Sequence, residues 1–193
     1  IGHLESIARY IAQTSLCPRP DRLVILRPTR KLQRALPVSI AAATASTTAL
    51  GDWYVNRIVV DRRALLILVS STSLLSILAP ARDVNGLPIR VAELLGTRLR
   101  RAGISPERSE SEIDAMSPVV LAPTVDRSVV GFMVDFAFVV PYHVERGSWD
   151  ETTLPFVENK LARIPCHASH RRSEALWPDR KAPELLAAHW GAA

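Results

Sequence analysis

At 193 residues and 48% hydrophobic content, the chain suits one domain with its own core and is too apolar to be a disordered tract. Its two cysteines, Cys17 and Cys166, exclude a disulfide framework and read as reduced thiols of a cytoplasmic protein. The net charge of +5 lies wholly in the first 34 residues, which hold seven Lys or Arg against two acids; the rest holds seventeen of each, which argues against a nucleic-acid-binding face on the body and leaves that role to a basic N-terminal arm.

Leu4, Ile7, Ala8 and Ile11 share one face of a short amphipathic helix over residues 1–17, and Cys17-Pro-Arg-Pro-Asp21 breaks it. Its interleaved polar residues do not match a secretory signal. Residues 1–22 are therefore read as a basic extension, 23–145 as the core domain and 146–193 as a helical tail packed on it. A strand is expected over 23–27, and Thr29 can cap a short helix from Arg30 to Leu36. The small residues of 38–49 read as a loop or weak strand, and Gly51-Asp52 as a turn. Trp53 to Val60 and Ala64 to Ser70 form a β-hairpin about a charged connection, Asp61-Arg62-Arg63.

Residues 64–81 carry no charge, which prompts a membrane test. Ser70, Ser71, Thr72, Ser73 and Ser76 interrupt the stretch, so no membrane span is expected. The reading is a strand, a Ser/Thr N-cap and a helix over 74–79 ended by Pro80. A helix over 88–102 has Leu87, Val91, Leu94, Leu95 and Leu99 as its apolar stripe and Arg98, Arg100 and Arg101 at its C-terminal end, with Gly103 as its stop. Ser105-Pro106-Glu107 opens an acidic, surface-lying helix to residue 116. A strand over 118–123 follows.

Arg127 to Val140, RSVVGFMVDFAFVV, is the longest stretch of such low polarity. Its Val and Phe content favours a strand, but its length, Asp126 as N-cap and Pro141 as terminator favour a central helix over 127–140. Asp135 interrupts the run. If buried, its carboxylate needs a partner, and Arg27, Arg30 or Lys31 could supply one; the other readings are an acid facing a cleft and an acid facing solvent. Beyond it, helices are expected over 155–164 and 183–190, with Trp149, Trp177 and Trp190 pinning the tail to the body.

Motifs for chemistry are sparse. Cys166, His167 and His170 do not make up the four spaced ligands of a structural zinc site, and no metal or cofactor is expected. There is no glycine-rich phosphate loop and no nucleophile elbow, so no catalytic residue is named. On a strand, Asp52, Tyr54 and Asn56 point to one face and Trp53, Val55 and Arg57 to the other. The candidate polar cluster is Thr29, Lys31, Asp52, Tyr54, Asn56, Arg127, Ser128 and Asp135.

Three stretches in order, TRKLQRAL with its preceding strand, TTALGDWYVNRIVVDRRALLILVSSTSLLSIL and RSVVGFMVDFAF, resemble a bacterial family labelled domain of unknown function 6933. The resemblance runs from Leu23 to Trp190, and LARIPCHASHR is similar to a stretch that follows the family's core. Thr29, Lys31, Gly51, Asp52, Trp53, Tyr54, Asn56, Arg127, Ser128, Gly131 and Asp135 fall on its motif positions. Where the family pattern reads Gly-Ser-Met-Asn-Asp, this chain has Gly131-Phe132-Met133-Val134-Asp135. The resemblance implies no activity.

The expected fold is α+β: a small, mainly antiparallel sheet covered by helices, with helix 127–140 packed centrally. The expected function is a non-catalytic binding or regulatory module, with a protein partner or a second copy. The alternative is an enzyme acting on nucleic acid or a nucleotide, with Asp135, Arg127, Asn56 and Lys31 around one cleft. Convergence of those four side chains separates the two.

Overall fold

A computed structural model describes residues 22–36, 45–82, 84–167 and 175–191. The helix read at 1–17, nearly all of the basic arm, most of the 38–49 loop and His170 lie outside the described residues.

The sheet has five strands: β1 (Val24–Pro28), β2 (Trp53–Val60), β3 (Arg63–Ser70), β4 (Ser76–Pro80) and β5 (Val119–Leu121), in the order β4-β3-β2-β1-β5. The α+β class holds, but the sheet is mixed where a mainly antiparallel one was expected. β1 lies parallel to both of its neighbours, with Leu26 opposite Trp53 on one side and Leu121 on the other. The reason is connection length. Parallel neighbours need long crossovers, and β1 is joined to β2 only after residues 29–52 and precedes β5 by most of the fold. The β2-β3-β4 half is antiparallel because its connections are tight. At the first of them Asp61 and Arg62 take φ of 49° and 65°, the backbone of a type I′ hairpin.

β4 replaces the helix expected over 74–79. The hydroxyls before it build a turn instead of capping a helix. Ser70 Oγ donates to Leu50 O at 2.6 Å, Ser73 Oγ donates to Ser70 Oγ at 2.8 Å, and Leu74 takes φ 57°. Beyond the turn the period is two. Leu75 and Ile77 enter one core, while Leu74 and Leu78 enter the other.

Six α-helices lie among the described residues, on both faces of the sheet: α1 (Arg30–Gln33), α2 (Leu87–Arg101), α3 (Pro106–Asp114), α4 (Arg127–Val139), α5 (Leu154–Leu161) and α6 (Pro178–Trp190). One core joins Trp53, Val55, Leu66 and Leu68 to Val91, Leu95 and Leu99 of α2. The other joins Tyr54, Ile67 and Val69 to Val129, Met133 and Phe136 of α4 and to Val157 and Leu161 of α5. The alternation expected for β2 is thus present. Asp126 caps α4, its carboxylate accepting from Ser128 N at 2.7 Å, and Pro141 turns the chain into a 3-10 segment, Val140–His143. No described helix is long and apolar enough to cross a membrane; residues 64–81 are β3, a turn and β4.

Candidate functional site

Register and side-chain alternation put Arg27 of β1 and Tyr54 of β2 on the same side of the sheet, with Asp52 and Asn56 two residues either way. Buried Arg27 donates from Nε to Asp52 Oδ2 at 2.5 Å and from Nη1 to Pro123 O at 2.6 Å. Asp52 Oδ1 accepts from Ser46 N at 3.0 Å and Ser46 Oγ at 2.7 Å. Ser46 Oγ accepts in turn from Ile25 N at 2.8 Å. A buried ion pair is tolerable when further hydrogen bonds support it, as those to Pro123 O and from Ser46 do here. The turn before it requires glycine: Gly51 has φ 68°, and a Cβ there would stand 2.5 Å from Ser71 Oγ, the atom that accepts from Asp52 N.

The other residues of this group are also held in structural bonds. The hydroxyl of buried Tyr54 accepts from Asp126 N at 2.9 Å and so fixes the entry to α4. Thr29 Oγ1 donates to Asn56 Oδ1 at 3.0 Å, which also accepts from Arg57 N at 2.9 Å. Thr29, Asp52, Tyr54 and Asn56 therefore form a framework tying β1, β2 and the start of α4 together.

Lys31, Arg127, Ser128 and Asp135 are all exposed. For Asp135 the solvent-facing reading holds, and the buried acid is corrected. At about 100° per residue, the core side of α4 is set by Val129, Met133 and Phe136, and Asp135 falls on the opposite side. Arg27, offered as its partner, is bound to Asp52. The eight candidates divide between framework and surface.

Three buried charged residues escaped the sequence reading. Glu112 of α3, expected on a surface helix, is buried; it accepts from Ala49 N and Leu50 N at 2.9 Å each and from Trp190 Nε1 at 2.8 Å. Glu158 of α5 accepts from Leu78 N at 2.9 Å and Arg101 Nη1 at 3.0 Å. Arg98 of α2 donates to Ser76 O at 3.2 Å and Asn159 Oδ1 at 3.1 Å. Burial pushes the Glu158 carboxyl up, against the Leu78 N–H, Arg98 and Arg101, and pushes Arg98 down. Leu78 N and Ser76 O belong to β4 at the sheet margin, so this pair closes an exposed edge. A cleft of about 290 Å³ lies beside it, lined in part by Arg98, Arg101, Asn159, Arg163 and Asp179. Its charges are already engaged with one another: Arg101 with Glu158, and Arg163 with Asp179 at 3.9 Å. Cys166 is buried in the core that α4 and α5 share, with its thiol donating to Ile164 O at 3.5 Å, and His167 is exposed.

The described residues expose several large apolar side chains, and three of them lie on the outer face of α4 or just beyond its end. Val134 is 54% exposed, Phe138 68% and, one turn on, Tyr142 72%. Val134 and Phe138 are four residues apart and so neighbours along α4, and Tyr142 lies in the 3-10 segment that follows. Phe138 and Tyr142 are in ring contact with centroids 5.6 Å apart. Arg127, Ser128, Gly131 and Asp135 share this face, all exposed. The outer face of α4 thus carries exposed apolar side chains bordered by exposed polar ones.

The family model described as domain of unknown function (DUF6933) matches residues 25–181 of the chain. No curated protein matches, and neither does any solved structure.

Proposed function

The chain belongs to that family of unknown function, and from that premise we propose that it is a non-catalytic binding module whose contact surface is the outer face of α4. The observation that carries the reading is the exposed pair Val134 and Phe138 on α4, continued by Tyr142 in ring contact with Phe138, while Val129, Met133 and Phe136 on the helix's other side enter the core. Large apolar side chains standing in line are costly to leave in water and gain from a partner's surface. The polar candidates support the same reading by elimination. Thr29, Asp52, Tyr54 and Asn56 each make a framework bond, and Lys31, Arg127 and Asp135 are exposed, which supports a structural role for the first group over a shared cleft.

Site-specific photo-crosslinking tests it. A photoreactive phenylalanine analogue at position 134 or 138, in the cells that make the protein, should yield one discrete adduct. The same group at exposed Glu145 should not. Phe138→Glu in the Val134-labelled chain should remove the adduct while changing folding stability by less than about 0.5 kcal/mol, as expected for an exposed position. Adducts from none of the positions, or equally from all, would overturn the proposal.

A further inference from the structure

Resting on that reading, we infer that the partner of the α4 face is a second copy of this chain, packed antiparallel about a two-fold axis that passes by Gly131. Gly131 itself is the first argument. Glycine inside a helix costs about 1 kcal/mol relative to alanine. Nothing among the described residues asks for it: its backbone is helical, and a Cβ at this position would meet none of their atoms within 4 Å. A requirement for close approach must come from outside, and a glycine on an exposed helix face lets a second helix come near.

The order of side chains about Gly131 is the second argument. In an antiparallel pair centred there, a residue four before it lies level with the partner's residue four after it. Arg127 and Asp135 hold those two positions. At 1.5 Å rise per residue each stands about 6 Å along the axis from the centre, on opposite sides, so each copy's guanidinium comes level with the other's carboxylate, twice by symmetry. Val134, 54% exposed, and Phe138, 68% exposed, stand on the same face of α4, three and seven residues after Gly131, and are covered by the partner helix in this pair. A face whose opposite charges come level under its own two-fold is self-complementary in charge, which favours an isologous interface. One helix pair buries an area at the low end of specific interfaces, so the dimer is expected to be weak and concentration-dependent.

Sedimentation velocity on the full chain tests this, over about 1–200 μM, a range suited to a small interface. The wild type should pass from monomer to dimer. Arg127→Asp and Asp135→Arg, each placing like charges level with one another, should each weaken the dimer about tenfold, and the double reversal should recover most of that loss. All are exposed positions, and unchanged circular dichroism will show that the fold is kept. A wild type monomeric throughout overturns self-pairing; a photo-adduct to a different protein would then leave the binding-module reading standing. A dimer indifferent to both charge reversals but lost in Phe138→Glu overturns the two-fold at Gly131 while keeping the face. A dimer that survives Phe138→Glu overturns the face as well.

Discussion

Cys166 shows how a neighbour in space alters a residue that sequence treats as inert. Burial first, and the Asp135 charge second, push its thiol up to about 11 from an ordinary 9.0. The folded chain therefore holds this proton over a pH range in which the unfolded chain gives it up. The stabilisation is present in full below pH 9.0 and is lost as the pH rises through about 11. The loss should approach roughly 2 kcal/mol across that window. Urea midpoints measured from pH 8 to 11 should fall more steeply for the wild type than for Cys166→Ala, and parallel curves would refute the assignment. The same burial predicts a thiol slow towards disulfide reagents, since the thiolate is the nucleophile. Asp135 was legible as the informative residue of its segment, but its direction was not. That depended on which side of the helix met the sheet, and an apolar run with apolar residues on every side does not announce it.

At the level of elements, the segments legible from sequence were those with a strong period and clear ends. The β2-β3 hairpin, α2, α3 and α4 lie close to their expected spans because turn chemistry, Pro at the first helical turn and the Asp126 cap mark them. β4 was misread because a run of serines before an apolar stretch has the composition of an N-cap. The period-two alternation of Leu74 to Leu78 was the competing signal. The buried charges left a signal too. Glu158 falls in the spacing of Leu154, Val157 and Leu161, and Arg98 in that of Val91, Leu95 and Leu99, so each charge sits on its helix's apolar stripe. A charge there is a buried group with a partner on another element. Glu158→Ala should therefore cost about 3–5 kcal/mol, because Leu78 N loses its acceptor and Arg98 remains buried without its carboxylate. A urea midpoint reads the cost, and faster amide exchange at Leu78 locates it on the β4 edge. A cost below about 1 kcal/mol would mean the edge is closed by other groups.

For the molecule as a whole, the sequence suggested a core over 23–145 with a helical tail laid on it, and the packing leads to a different expectation for that tail. Leu154, Val157 and Leu161 are members of the core under α4, with buried Trp149 beside them. Ala182 and Leu186 of α6 enter the core on the other face of the sheet. Glu158 closes β4, and Trp190 completes the bonding of Glu112, which in turn holds the backbone of Ala49 and Leu50 before the Gly51 turn. Full burial of a large apolar side chain is worth about 1.5–3 kcal/mol, so the five large ones named here contribute roughly 10 kcal/mol. That is comparable to the entire stability of an ordinary domain, about 5–15 kcal/mol. A chain ending at residue 145 is accordingly expected to lack a cooperative urea transition and to aggregate through its uncovered β4 edge and open cores. A chain starting at residue 22 and keeping residues 146–191 should unfold in one step. Urea melts followed by tryptophan fluorescence and by far-ultraviolet circular dichroism decide it. Coincident, cooperative curves from the chain ending at 145 would make the C-terminal segment an appendage, and their absence would make it part of the folding unit.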